Sequence, residues 1–226
     1  MNTAASKYLW RPLKSIGRAC AFLDNQSAQA VALVLFLASL TIATSITPSA
    51  HVSLISSTIM AIVSIVFYIR AYTTKGSVKT GWNLIMLGHL FGVLFLMLAS
   101  TVNWSSVALY SFGVVSAFIA GHLCLWYLAK KDEQTDLREY HGALYAHTKM
   151  GNLFFIVCLF FMAFPISSSF LAQDIFVSLI PVSHAFHVVL FCCSYLLAGI
   201  SSIRLYTKVF FGPHKTSSHE KAYRSS

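Results

Sequence analysis

Acidic residues are scarce in this chain, with seven Asp and Glu against sixteen Lys and Arg, and charged residues make up only 10% of it. Soluble domains carry about 25% charged residues. A chain that is 57% hydrophobic has too much apolar surface for one water-soluble core, and lipid is its natural solvent. Also missing are a Walker loop, a dinucleotide fingerprint, a CxxCH haem site, an HExxH pair and any CxxC pair. Each would be the mark of a particular soluble chemistry, so no soluble-type catalysis, no cofactor and no metal are expected. The five cysteines, Cys20, Cys124, Cys158, Cys192 and Cys193, show neither zinc-ligand spacing nor a disulfide framework. They read as packing residues.

What is present is apolar length. A membrane helix needs about 20 mostly apolar residues. Six segments qualify: Ala28 to Thr47, Val52 to Tyr72, Trp82 to Val102, Ser105 to Ala129, Gly151 to about Pro181, and His184 to Tyr206. The first is expected to be a retained helix rather than a cleaved signal peptide, because its polar lead is long and no small-x-small site follows Thr47.

Charge supplies an independent test. Lys7, Arg11, Lys14 and Arg18 precede the first segment. Arg70, Lys75 and Lys79 fall between the second and third. Lys130, Lys131, Arg138 and Lys149 lie between the fourth and fifth, and Arg204, Lys208, Lys215, Lys221 and Arg224 close the chain. The other three connections hold no Lys or Arg. All the basic residues thus fall on one side, which the positive-inside rule makes cytoplasmic. The net charge of +9 is a topology signal, and nucleic acid is not an expected partner.

The expected fold is all-α, a polytopic membrane bundle of about six transmembrane helices with both termini cytoplasmic and the lipid bilayer as its surroundings. A basic cytoplasmic segment covers residues 1–27, the transmembrane domain 28–206, and a basic tail 207–226. Within the first, residues 7–23 mix aromatic and basic side chains. They read either as an amphipathic helix on the inner surface or as a plain basic flank. An integral, multi-pass protein of a bacterial inner membrane is the simplest localisation.

The fifth segment is too long for one straight crossing and too short for two plus a turn. Near its middle stands Phe164-Pro165-Ile166-Ser167-Ser168-Ser169. Proline removes a backbone donor and clashes with the preceding turn, and hydroxyls can satisfy the freed backbone groups. A discontinuous helix broken near Pro165 is expected, with a simple kink or a re-entrant hairpin as alternatives. In transporters such breaks mark the ion path.

Asp174 is the one acidic residue in an apolar segment. A carboxylate there costs about 2.5–3.5 kcal/mol on insertion scales and usually faces a polar interior. The favoured reading buries it, with Gln173 and Ser167 to Ser169 lining a wet break. The other reading is a surface carboxylate beyond a helix that ends at Leu171. Among the histidines, His89 and His122 lie inside helices, while His184 and His187 stand one turn apart at the outer start of the last. All can exchange protons near neutral pH, or hydrogen-bond a neighbouring helix instead.

Three blocks in the second half resemble a known family. Asp136-Leu137-Arg138 followed by Tyr140-His141-Gly142-Ala143-Leu144 looks like the polar loop D-[IL]-R-x-M-G-G-L. Phe164-Pro165, Phe170 and Asp174 keep the spacing of [GL]-[LF]-P-x-x-x-x-F-[FW]-S-K-D. Ser201 to Gly212 is similar to the arginine-containing helix end R-[LM]-[IY]-x-x-x-F-x-G. These belong to the antiporter-like membrane subunits of NADH-quinone oxidoreductase (chain 5 or L type) and related proton-conducting transporters. The resemblance covers about residues 130–212. It implies a membrane subunit or fragment of a proton- or cation-translocating complex, partnered by other antiporter-like or complex membrane subunits. Its ion path would use Asp174, Gln173, Ser167, Ser168, Ser169, Pro165, His184, His187, His122 and His89. Gln173 stands where the family often has lysine, and at most one five-helix repeat is present. A structural or accessory subunit without its own pathway, or the C-terminal part of a longer antiporter-like protein, is therefore the alternative.

Overall fold

The computed structural model describes residues 4–45, 50–99, 104–132, 136–180 and 185–213. The helices are α1 (Ala4–Ala19), a short 3-10 turn (Ala21–Asp24), α2 (Gln26–Ser45), α3 (Ala50–Thr73), α4 (Val78–Ala99), α5 (Trp104–Asp132), α6 (Thr148–Phe161), α7 (Ser168–Leu179) and α8 (Ala185–Phe210). The described residues contain no strand. Helices α2, α3, α4, α5 and α8 are long and apolar enough to cross a membrane, and the protein is an integral multi-pass α-helical bundle. The interrupted pair α6 and α7 stands where the fifth apolar segment was placed.

Helix α4 is the centre of the bundle, buried along most of its length, with α2, α3, α5 and α8 packed around it. Outward faces carry Val34, Leu35, Phe112, Leu123 and Leu196, all well exposed. In water such continuous apolar surface would be a liability; in lipid it is the ordinary outer face.

Hydrogen bonds tie the basic connections together at one end. The Leu137 N–H donates to Gly76 O (2.9 Å), and Arg204 Nη2 donates to Thr74 O (3.0 Å). The loop before α6 then caps α8. Consecutive N–H groups of His141, Gly142, Ala143 and Leu144 donate to Lys208 O, Phe211 O, Val209 O and Phe210 O at 3.0–3.2 Å. These carbonyls have no partner within the helix. Gly142 has φ +65°, and a Cβ there would stand 2.8 Å from Pro213 O, so this turn takes only glycine. Two of the three blocks that carry the family resemblance, the loop and the helix end, thus meet in one cap.

Residues 4–19 of the N-terminal segment form a helix, and α1 packs on the end of α3. Gly17 lies directly against Thr73, and Arg70 Nη1 donates to Gly17 O (2.7 Å). Helix α4 begins at Val78, four residues earlier than the apolar pattern places it, and α8 runs four residues past Tyr206. Both extensions are polar or amphipathic turns at the basic end, where backbone hydrogen bonding continues beyond the apolar stretch.

Candidate functional site

The interruption between α6 and α7 is built from local capping chemistry. Helix α6 ends with the Ala163 N–H donating to Phe160 O (3.2 Å) and the Phe164 N–H to Leu159 O (3.0 Å). Ala163 is left-handed, with φ 46°. This is a Schellman ending, with alanine where glycine is usual, and the backbone strain of a non-glycine left-handed residue costs about 1–3 kcal/mol. Pro165 follows at once and cannot continue a helix. Ser167 then starts α7: its Oγ accepts from the Phe170 N–H (3.2 Å) and donates to Phe164 O (2.8 Å). Ser169 Oγ donates to Phe160 O (2.8 Å). Two of the three serines therefore satisfy backbone groups across the gap. Ser168 Oγ is buried with no partner among the described residues. The start of α7 lies close against α5 at Gly113, where a Cβ would stand 2.9 Å from Ser169 N.

Helix α7 buries Ser169, Ala172 and Phe176 on the side that packs against α5. Asp174 is on the opposite side, with Leu171, Ile175 and Ser178, and is exposed. The burial expected for it within this chain is not found. The helix turns 100° per residue, so a face set by Ala172 and Phe176 leaves position 174 outside. The Asp174 carboxylate makes no hydrogen bond or ion pair with another described residue. Gln173 is half-buried, and Pro165 is exposed at the outer edge of the break.

Beside the end of α6 lies His89 of α4, 1% exposed. Its ring stacks on Phe161, the last residue of α6, with centroids 4.9 Å apart. Its Nδ1 shares a hydrogen bond with Tyr110 Oη of α5 (2.9 Å), and the Tyr195 hydroxyl of α8 donates to the same oxygen (2.7 Å). Tyr68 of α3 meets His89 edge-on at 5.4 Å. His89 Nε2 is buried and unpartnered among the described residues. Four helices thus converge on one imidazole beside the interruption.

The other histidines do not join this cluster. His187, buried in the first turn of α8, bonds through Nε2 to Ser57 Oγ (2.9 Å) and Thr58 Oγ1 (3.3 Å) of α3. Phe95 lies parallel to its ring at 5.9 Å, and Phe191 separates it from Tyr195. His122 packs on Phe118 of its own helix at 4.5 Å, with Nδ1 unpartnered. His184 lies outside the described residues, so its pairing with His187 is not described.

Toward the basic end, Trp82 lies between Phe161 and Phe154 at 4.6 and 4.9 Å, and Phe154 meets Phe210 at 5.5 Å. This aromatic stack closes the interior below His89. The sequence points to His89 but not to Tyr68, Tyr110 and Tyr195. Their signal was present, since each is a hydroxyl inside an apolar segment, where polar groups seek partners on neighbouring helices. No family model matches this chain, and the search of curated proteins finds no match either.

Proposed function

We propose that this chain is a membrane subunit of a proton- or cation-translocating complex, with its basic end in the cytoplasm of a bacterial cell. One observation carries the reading: His89, an imidazole with two ring nitrogens able to hold a proton, is enclosed by four helices at the end of a discontinuous helix and keeps one ring nitrogen unpaired among the described residues. Ionisable residues within membrane helices are costly and generally functional, and broken helices generally line ion sites. In this reading Tyr110 holds Nδ1 and so fixes the tautomer, while Nε2 takes up and releases the proton. Asp174, on the outer face of α7, exchanges protons with a neighbouring antiporter-like subunit rather than within this chain.

The test is proton uptake by vesicles containing the complex purified through this chain, followed with a pH-sensitive dye. His89→Phe and Asp174→Asn are expected to reduce uptake to that of protein-free vesicles while the subunits still co-purify. Undiminished uptake in both variants would overturn the proposal.

The packing beneath His89 favours a second reading. Phe161, Trp82, Phe154 and Phe210 fill the interior, and Ser167 and Ser169 are engaged in capping. An accessory subunit that keeps the fold without a pathway fits these facts. It requires that the complex fall apart without this chain yet transport normally with either variant.

A further inference from the structure

Cys192, Leu196, Ile200, Arg204 and Lys208 recur at every fourth position of α8 and therefore share one helix face. They line an open groove of about 880 Å3, walled also by Tyr72 at the end of α3, Tyr140 of the capping loop and Met162 of the break. Gly199 keeps it open on the α6 side, where Met162 Cε lies 3.2 Å from the place a Cβ would take.

The two halves of the groove differ in chemistry. At the basic end, the Arg204 guanidinium donates to Thr74 O (3.0 Å) and Ala71 O (3.4 Å), with the Tyr72 ring 5.3 Å away. Lys208 Nζ lies 3.9 Å from the centre of the Tyr140 ring and donates to Arg138 O (3.4 Å). Every one of these partners is neutral. Arg70 pairs with Asp24 and Arg138 with Asp136, and among the described residues neither Arg204 nor Lys208 forms an ion pair with a carboxylate. Above them the groove is apolar, with Leu196 67% and Ile200 46% exposed.

We propose that this groove binds one anionic glycerophospholipid from the leaflet at the basic end. Its phosphate sits at Arg204 and Lys208, and an acyl chain lies along Ile200, Leu196 and Cys192. Length supports a lipid over a partner helix. From Arg204 to Cys192 the helix rises about 18 Å at 1.5 Å per residue, against a hydrocarbon core about 30 Å thick. The track therefore covers one leaflet and ends in uncompensated positive charge, whereas a crossing helix needs an apolar seat through both leaflets. Basic pockets between helices on the cytoplasmic side bind anionic headgroups on the same principle.

The experiment uses the full chain purified in a neutral detergent. Lipid adducts are read by native mass spectrometry, and unfolding midpoints are measured while phosphatidylglycerol, phosphatidylcholine or free glycerol 3-phosphate is titrated in. Phosphatidylglycerol is expected to remain as a single adduct and raise the midpoint, while the other two do neither. Lys208→Gln is expected to weaken phosphatidylglycerol binding about fivefold, the effect of one cation at an anionic headgroup. It is preferred to substitution of Arg204, which ties α8 to the end of α3. Ile200→Trp, which fills the apolar half and leaves both charges, is expected to remove the adduct. Equal retention of phosphatidylcholine would mean an unselective lipid coat and would overturn the site. An equal effect of glycerol 3-phosphate would mean a soluble-anion site. Cross-linking of Cys192 to another subunit, with no lipid adduct, would mean a helix seat.

Discussion

Asp24→Ala is expected to destabilise the bundle by about 3 kcal/mol, the low end of the ~3–5 kcal/mol range for removing one partner of a buried ion pair, because the Asp24 side chain is still 28% exposed. Arg70 lies near the end of α3 with its side chain only 9% exposed, and Asp24 reaches it from the 3-10 turn before α2. The contact is bidentate, with Arg70 Nε donating to Asp24 Oδ1 at 2.7 Å and Nη2 to Oδ2. Thr74 Oγ1 donates to Oδ2 as well (2.9 Å), and Arg70 Nη1 holds Gly17 O. One carboxylate therefore fastens α1, the turn and the start of α2 to the core of the bundle. Without it a guanidinium stays buried beside the membrane, stripped of water and of its counter-charge.

The double variant Asp24→Ala/Arg70→Met separates the pair from the packing around it. Replacing a whole buried ion pair by apolar side chains is often close to neutral, so the double variant is expected to recover much of the loss. Thermal unfolding in detergent gives the stabilities, and limited proteolysis within α1 shows whether that helix detaches first. If the alanine variant unfolds at the wild-type midpoint, the pair is not what fastens the N-terminal segment.

Neither partner of this pair stood out in the chain alone. Asp24 is one of several acidic residues in polar stretches, and Arg70 reads as one more positive-inside residue. They are 46 positions apart, and no periodicity links them. The spans themselves were legible, because lipid demands an apolar run of fixed length whatever the tertiary packing. The break was legible for a similar reason: Pro165 and the serines act locally. The orientation of α7 was not. In a membrane helix the lipid-facing and core-facing sides are equally apolar, so the pattern that orients a surface helix in water is absent, and nothing in it shows that Asp174 falls on the exposed side. A better signal was available in the small residues. Gly113, Ala117 and Gly121 recur every four positions along α5, the spacing that lets membrane helices approach closely. Gly113 receives the start of α7 and Gly121 the ring of Trp82. That stripe marks the face of α5 that holds the start of α7 at one end and Trp82 of α4 at the other.

Trp82→Ala is expected to cost about 3 kcal/mol, the low end of the ~3–5 kcal/mol found for large aromatic truncations in soluble cores. The low end applies because the surroundings are lipid, so little is gained by removing apolar surface from water and packing carries most of the loss. Trp82 is fully buried. It lies over Gly121 so closely that a Cβ there would stand 2.1 Å from its ring. Its Nε1–H donates to Phe118 O of α5 (3.1 Å), and its faces meet Phe154 and Phe161 of α6. One side chain thus joins α4, α5 and the first half of the broken helix. Trp82→Phe keeps most of the volume and loses the donor, so it is expected to cost only about 1 kcal/mol, the value of one hydrogen bond. Gly121→Val pushes into the same ring from the other side, and overpacking of this kind costs about 1–3 kcal/mol. Combined with Trp82→Ala, it refills part of the cavity, and the double variant should be more stable than Trp82→Ala alone. Unfolding midpoints of the four proteins in one detergent decide the matter. Strict additivity of the two substitutions would show that Gly121 and Trp82 do not share a contact. Because Phe161 meets Trp82 and stacks on His89, the same alanine variant also loosens the support of that imidazole, and any transport that depends on His89 should weaken in it before the fold is lost.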